Sequence, residues 1–446
     1  MKLTLAALSL LLIACPRPSY ASTNLELLGR EAVSERAAES ARAIAGLRAA
    51  GPAGLNSLLS LYRTEINQHI SNPLDPDTPE WQRLSAALDA VSQQKDSYLS
   101  GLYWYTDLPR AEAAAKAAAK PILSLRLLGN LNDEFSCANS RFFRTVLYSN
   151  VAVSRVLRER FILHWQSVRP APRVTIDFGD GRKLERTITG NSIHYVLDAD
   201  GRVIDALPGL YGPEAFLKGL APAEAVNQRL RGMRADAQSG TLADYHCAAV
   251  QVITMNWLAD SKLAGARIPE SLLPKSATGS SPRAVDIAPL AMTKAVTEIS
   301  ILRTITKDAD ALGAITDEPT WTRIASRHIA DARLDEQSTG LMRRQMQGLW
   351  EKGRSSRSGL TPEVKLMNLL TKFQLSVALD SVRNEYVLHT KLHAWLATSQ
   401  NHQNLDAFNE RVYAELFLSP KSDPWLGLFS EDIYTALEGG GVVRSN

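Results

Sequence analysis

The chain reads as an α/β domain set between largely all-α N-terminal and C-terminal regions. Three observations predict this. A mostly apolar run, Pro121-Ile122-Leu123-Ser124-Leu125-Arg126-Leu127-Leu128, is followed by a loop and then by Ser136-Cys137-Ala138-Asn139-Ser140-Arg141, which opens a helix on a cysteine. A second helix leads into Phe161-Ile162-Leu163-His164-Trp165, a hairpin pattern, and a closing pair of strands from Ser192 to Asp205. The remaining segments carry helical periodicity and no comparable strand signal.

The order of elements follows from local chemistry. Leu25 to Arg48 is rich in Ala, Glu and Arg with apolar residues at helical spacing, and Gly51-Pro52 ends it. Leu55 to Ile70 places Leu58, Leu59, Leu61, Tyr62 and Ile66 near one face. Pro79 to Leu102 forms a third helix after the Asn72–Asp77 loop. Asp107 is a suitable N-cap with Pro109 in the first turn, and Ala111 to Lys120 favours helix almost residue by residue. Pro121 stops that helix and begins the first strand. Val174 to Phe178 alternates apolar and polar residues, Gly179-Asp180-Gly181 turns the chain, and Lys183 to Thr189 returns. Asp198-Ala199-Asp200-Gly201 is a second tight turn, and Gly212-Pro213-Glu214 starts a terminal helix to Leu220.

Beyond Ala221-Pro222 the pattern is helical throughout: Ala223 to Gly232, Leu242 to Asp260, Asp286 to Thr306, Thr320 to Arg333, a long element capped by Thr361 and running towards Ala397, Leu405 to Phe417, and Glu431 to Leu437. Pro269 to Arg283 reads as a linker. The expected division is a leader at 1–21, a helical region at 22–102, the α/β domain at 103–221 and an all-α domain at 222–446.

At 446 residues the chain exceeds one ordinary domain, so two or three folding units are expected. The net charge of +3 and the lack of any basic run with interleaved aromatics give no reason to invoke nucleic acid. The start, Met1-Lys2 followed by an apolar run from Leu3 to Ala14, is too short to span a bilayer and right for a signal peptide. Two endings compete. Ser19-Tyr20-Ala21 offers a cleavage site that releases a protein beginning at Ser22. Leu12-Ile13-Ala14-Cys15 instead resembles a bacterial lipobox that leaves Cys15 lipidated after removal of 1–14. Either way the protein is expected to be exported, periplasmic or lipid-anchored in the cell envelope, with membrane contact only if Cys15 is lipidated. The other cysteines, Cys137 and Cys247, are too few for a disulfide-stapled scaffold.

Cys137 is the candidate for chemistry. A thiol at a helix N-terminus meets the positive end of the backbone dipole and free amide groups, which favour the thiolate. Arg141 and Arg144 add positive charge within two turns. Cys247, among Tyr245-His246-Cys247-Ala248-Ala249, reads as a structural cysteine or a distant resolving thiol. His389 and His393 share a helical face, but Thr390-Lys391-Leu392 lies between them with no glutamate after His389, so they read as surface or packing histidines and no metal site or cofactor is expected. His164 and His194 fall on strands and are candidates to flank the Cys137 loop.

The stretch Trp104 to Leu220, about a quarter of the chain, resembles the exported thioredoxin-like superfamily. The resemblance implies a nucleophile at Cys137 and puts Ser140 where a resolving cysteine normally stands, with Ala138-Asn139 between, a Cys-x-x-Ser motif. It places Gly190-Asn191-Ser192-Ile193 where the family carries a cis-proline. Ser140 cannot resolve a mixed disulfide, though its hydroxyl suits a Cys137 thiolate. The activity so implied is monothiol disulfide exchange, a thiol-disulfide oxidoreductase chemistry, with Asn191, Ser192 and Ile193 against the substrate backbone and protein thiols or disulfides of the envelope as partners. The alternative is a non-catalytic thioredoxin-fold binding or scaffold protein.

Overall fold

A computed structural model describes residues 21–187, 190–266, 318–352, 361–398, 404–417 and 419–425. The expected leader with Cys15, the linker at 269–283, the helix at 286–306 and that at 431–437 lie outside these residues.

The N-terminal region is a bundle of short helices: α1 (Ala21–Ala32), α2 (Ala37–Ala49), α3 (Pro52–Leu61), α4 (Arg63–Ser71), α5 (Pro79–Ser92) and α6 (Ser97–Ser100). Three expected long helices are thus each broken once. Ser34 to Arg36 interrupts the first, where the Ser34 hydroxyl and Arg36 guanidinium both bond Glu39. The chain leaves helical geometry at Tyr62 and takes left-handed conformations at Gln93 and Asp96. These helices bury Leu47, Leu55, Leu58, Trp81, Leu88 and others in a core of their own.

The five-stranded sheet follows. Its strands are β1 (Trp104–Tyr105), β2 (Ile122–Leu128), β3 (Ile162–Arg169), β6 (Ser192–Leu197) and β7 (Val203–Pro208), in the order β1-β3-β2-β6-β7. β1, β3 and β2 run parallel; β6 is antiparallel to β2, and β7 to β6. The central β2 is buried at every position, as expected for a strand covered on both faces. α7 (Leu108–Ala118) starts on the Asp107 cap, whose carboxylate accepts from the Arg110 N–H at 2.9 Å. α8 (Ala138–Phe142) continues as a π-helical turn, Phe143–Leu147, and α9 (Val151–Arg160) is capped by Asn150.

The expected hairpin forms as β4 (Arg173–Asp177) and β5 (Lys183–Thr187), outside the main sheet. Such a ribbon is marginal alone. Here the Thr187 hydroxyl anchors it, donating to the Ser136 carbonyl at 3.2 Å and accepting from Arg141 at 2.9 Å.

The helix expected to stop at Leu220 continues as α10 (Pro213–Leu230), with Pro222 inside it. An interior proline removes one helical hydrogen bond, at a cost of about 3 kcal/mol. Burial of Phe216, Leu220, Ala223, Val226 and Leu230 along α10 offsets this. The boundary placed between 221 and 222 therefore falls inside a helix. The C-terminal helices are α11 (Ala235–Leu263), α12 (Glu318–Ala325), α13 (Glu336–Lys352), α14 (Pro362–Arg383), α15 (Thr390–Leu396) and α16 (Leu405–Arg411). Single π-helical turns join α14 to α15 (Asn384–His389) and extend α16 (Val412–Leu416). Trp257, Trp321, Val377, Leu388 and Leu392 belong to the same apolar core as Leu123, Leu125 and Val196 of the sheet. In this mixed α/β fold, then, the described C-terminal helices share the core of the sheet.

Candidate functional site

Two places merit comparison. The first is the Cys137 loop. Cys137 is the residue before α8, as expected, and its N–H donates to the Leu128 carbonyl at 3.1 Å. It is fully buried, with 0% exposure. The Ser140 hydroxyl donates to the Cys137 carbonyl at 2.8 Å, so it caps the backbone and does not serve the thiol. Arg141 turns to Thr187, and Arg144 is buried facing Asp96 and Glu134. The residues expected to meet a substrate backbone are covered from within. Tyr413 donates its hydroxyl to the Asn191 carbonyl at 3.1 Å, and the Asn191 amide reaches the Phe417 carbonyl at 3.5 Å and the Ser419 hydroxyl at 3.4 Å. Ser192 accepts from Asn139 at 2.8 Å, and Ser192 and Ile193 are both buried. The structure thus brings Cys137, Ser140 and Asn191 to Ile193 into one region, beneath the C-terminal segment. Cys247 lies part-buried on α11, and neither it nor Cys137 forms a disulfide.

His164 and His194 are built into the sheet. His164 pairs with the Ser124 hydroxyl at 2.8 Å, and His194 with the Tyr148 hydroxyl at 2.7 Å. Burial pushes each imidazole down to about 3, so both are neutral at physiological pH.

The second place is a cavity of about 520 Å³ between β7, α10, α11 and the α14–α15 junction. Its wall is mostly apolar, with Ala215, Pro222, Ala249 and Ile253 among the lining residues. Asp205, His389 and His393 line it on one side, and all three are buried. Asp205 comes from β7, opposite Val196 of β6. His389 ends the π-helical turn and His393 follows one turn later on α15. Turns of this kind recur at functional sites, because the extra residue re-aims the side chains that follow.

The polar contacts are dense. His389 Nε2 donates to Asp205 Oδ1 at 3.2 Å, and its Nδ1 to Glu385 at 2.9 Å. His393 Nδ1 lies 3.8 Å from Asp205 Oδ1 and 2.8 Å from His246 Nδ1. Tyr245 donates its hydroxyl to Asp205 Oδ2. Burial pushes the Asp205 carboxyl up, but His393, His389 and His246 outweigh it and hold the group well below the usual carboxylate range. Burial lowers His389, yet Glu385 and Asp205 outweigh that and push it up to about 10. His393 goes the other way, down to about 4, because burial exceeds the pull of Asp205 and His389 opposes its charging. The resting arrangement is an imidazolium at His389 held between two carboxylates, beside a neutral His393. At the rim, Lys218 pairs with Asp331 at 2.7 Å, and His328 bridges Asp331 at 3.2 Å and Asp260 at 2.6 Å.

Of the two expectations for His389 and His393, surface or packing, burial excludes the surface, and the packing is against carboxylates. That reading considered carboxylates only between the two histidines; here one comes from Asp205, far off in sequence, and the other from Glu385, four residues before His389. The spacing Glu385-x-x-x-His389-x-x-x-His393, three titratable groups on one helical face, was the available signal. Tyr245 and His246, adjacent on α11, carried none.

No family model, curated protein or solved structure matches the chain.

Proposed function

We propose that the chain is an exported protein built on a thioredoxin-like scaffold, and that its working site is the cavity beside Asp205, His389 and His393, where it binds a small molecule. The strand order β1-β3-β2-β6-β7 with β6 and β7 antiparallel, and a cysteine at the start of the helix after β2, support the thioredoxin-like reading. The apolar leader supports export to the cell envelope. The observation that carries the choice of site is the contrast in access. Cys137 has no exposed surface, whereas the cavity has the size and the mostly apolar wall of a small-molecule site, with a few convergent polar groups.

The alternative is monothiol exchange at Cys137 with envelope thiols or disulfides. The position of Cys137 at a helix start with Arg141 and Arg144 close by favours it. Thiol exchange needs an in-line approach of a disulfide to the sulfur, so the cover over the buried Cys137 must first open. The pH dependence of Cys137 alkylation in the folded protein separates the two, with Cys137→Ser as the blank. Slow reaction until the protein unfolds is expected. Fast reaction, with an apparent pKa well below the free-thiol value of about 8.5, transfers the function to Cys137.

A further inference from the structure

We propose that Asp205, His389 and His393 bind a divalent transition-metal ion of the zinc type, with its open coordination position facing the cavity. This deepens the cavity reading and rests on it for the use of the ion, but metal uptake and Cys137 alkylation are read separately, so either can fail alone.

The ligand set is the first argument. Two imidazoles and one carboxylate are the donors of open, three-ligand zinc sites, and of His₂-carboxylate sites for other divalent first-row metals. One donor atom from each of Asp205, His389 and His393 lies within 4.8 Å of the others. In a tetrahedral site with metal–ligand bonds of about 2.0–2.2 Å, donor atoms stand about 3.3–3.6 Å apart. Asp205 Oδ1 is 3.2 Å from His389 Nε2 and 3.8 Å from His393 Nδ1, each within a few tenths of an ångström of that spacing.

The surrounding groups are the second argument. A metal-bound histidine almost always donates its other ring N–H to a carboxylate, a backbone carbonyl or a water, and His389 Nδ1 already meets Glu385 at 2.9 Å. Asp205 keeps Oδ1 for the ion while Tyr245 holds Oδ2. His246, in contact with His393 Nδ1 at 2.8 Å, must yield that nitrogen when the ion enters.

Location is the third. All three ligands line the cavity, which leaves the remaining coordination positions to a water or to a ligand group such as a carboxylate or carbonyl oxygen. His389 and His393 sit on a continuous helix, and Asp205 on a strand of the main sheet, so the donors are carried by rigid elements.

The test is titration of the chelator-stripped, tag-free chain with Zn²⁺, followed by calorimetry, and with Co²⁺, followed by visible absorption. One equivalent per chain is expected, with Co²⁺ bands of nitrogen and oxygen coordination and no thiolate charge transfer. Asp205→Asn and His393→Gln should each weaken Zn²⁺ binding at least 100-fold, Glu385→Gln about 10–100-fold, and Cys137→Ser not at all. Where a buried substitution unfolds the protein, the Co²⁺ spectrum of the unaltered chain and Glu385→Gln still decide. Absence of saturable uptake overturns the proposal. So does uptake that survives Asp205→Asn and His393→Gln, or that is lost in Cys137→Ser.

Discussion

Asp205 and His389 are separated by 184 residues in the chain, yet Oδ1 and Nε2 stand 3.2 Å apart in a buried ion pair that joins the edge strand β7 to the α14–α15 junction. Breaking a buried pair by removing one partner leaves an uncompensated charge and costs about 3–5 kcal/mol. Asp205→Ala leaves the His389 imidazolium with Glu385 alone and takes the acceptor from Tyr245. His389→Ala takes from Asp205 the partner at 3.2 Å and from Glu385 the partner at 2.9 Å. Each single change should therefore destabilise the metal-free protein strongly. The double variant should fall short of the sum, with a coupling of about 0.5–3 kcal/mol. Chemical denaturation of the four proteins measures it, and strict additivity means that the pair does not act as a unit.

The contact of Tyr413 with Asn191 leads to a second prediction, about the thiol. In Tyr413→Phe the Asn191 carbonyl loses its 3.1 Å donor in a buried setting. Loss of one such hydrogen bond costs about 0.5–1.5 kcal/mol. If the C-terminal segment is what shields Cys137, that loss favours its opening, and every 1.4 kcal/mol raises the open population about tenfold. Alkylation of Cys137 under native conditions should speed up in proportion, while its rate in denaturant stays the same. Equal native rates in the two proteins assign the shielding to other contacts.

How much of this was legible follows from where each signal resides. β2, the cysteine at the start of α8, the hairpin and the Asp107 and Thr361 caps are local patterns, and each stands where the residues put it. The run from Thr361 to Ala397 was legible as one long helix, but not its π-helical turn at 384–389, since no residue type marks the inserted position. Pro222 was read as a stop because local propensity says so; burial of Leu220, Ala223 and Val226 on the same helix overrules it. The Asp205–His389–His393 cluster is a property of tertiary structure alone. β7 brings a single carboxylate that looks like any strand-end acid, and only packing of α11 and α15 against that strand gives it partners.

Asp89 carries a pH prediction. Burial, with Asp96 adding to it, pushes its carboxyl up to about 7 from the ordinary 3.8, despite bonds to Oδ1 from the Ser97 N–H at 2.9 Å and hydroxyl at 3.0 Å, and despite Lys95. The folded state thus holds a proton that the unfolded state releases at lower pH. By linkage, this group's contribution to stability is greatest below about pH 4, falls as the pH climbs to about 7 and stays low above it. Asp89→Asn keeps an Oδ1 acceptor for Ser97 and removes the titration. The variant should gain stability relative to the parent as the pH rises from 4 to 8, read as a growing difference in Tm. A difference that stays constant over that range excludes Asp89 as the titrating group.

Gly209 links the end of β7 to the turn that carries His389. Its φ of +77° is a conformation that favours glycine, and a Cβ there would sit 2.5 Å from Nδ2 of Asn384, the first residue of the π-helical turn. Asn384 cannot swing away freely, because the same amide donates to the Leu210 carbonyl at 2.8 Å. Gly209→Ala therefore combines backbone strain of about 1–3 kcal/mol with a push on the segment ending at His389. Denaturation should show the loss of stability. The second effect has its own readout: Zn²⁺ affinity should fall along with stability, although Gly209 supplies no ligand. Gly179, which also has a positive φ of +74° but open space where its Cβ would stand, is the control. Gly179→Ala should strain the hairpin turn and leave Zn²⁺ affinity unchanged. An equal loss of affinity in both variants would mean that general destabilisation, and not displacement of the turn, weakens the site.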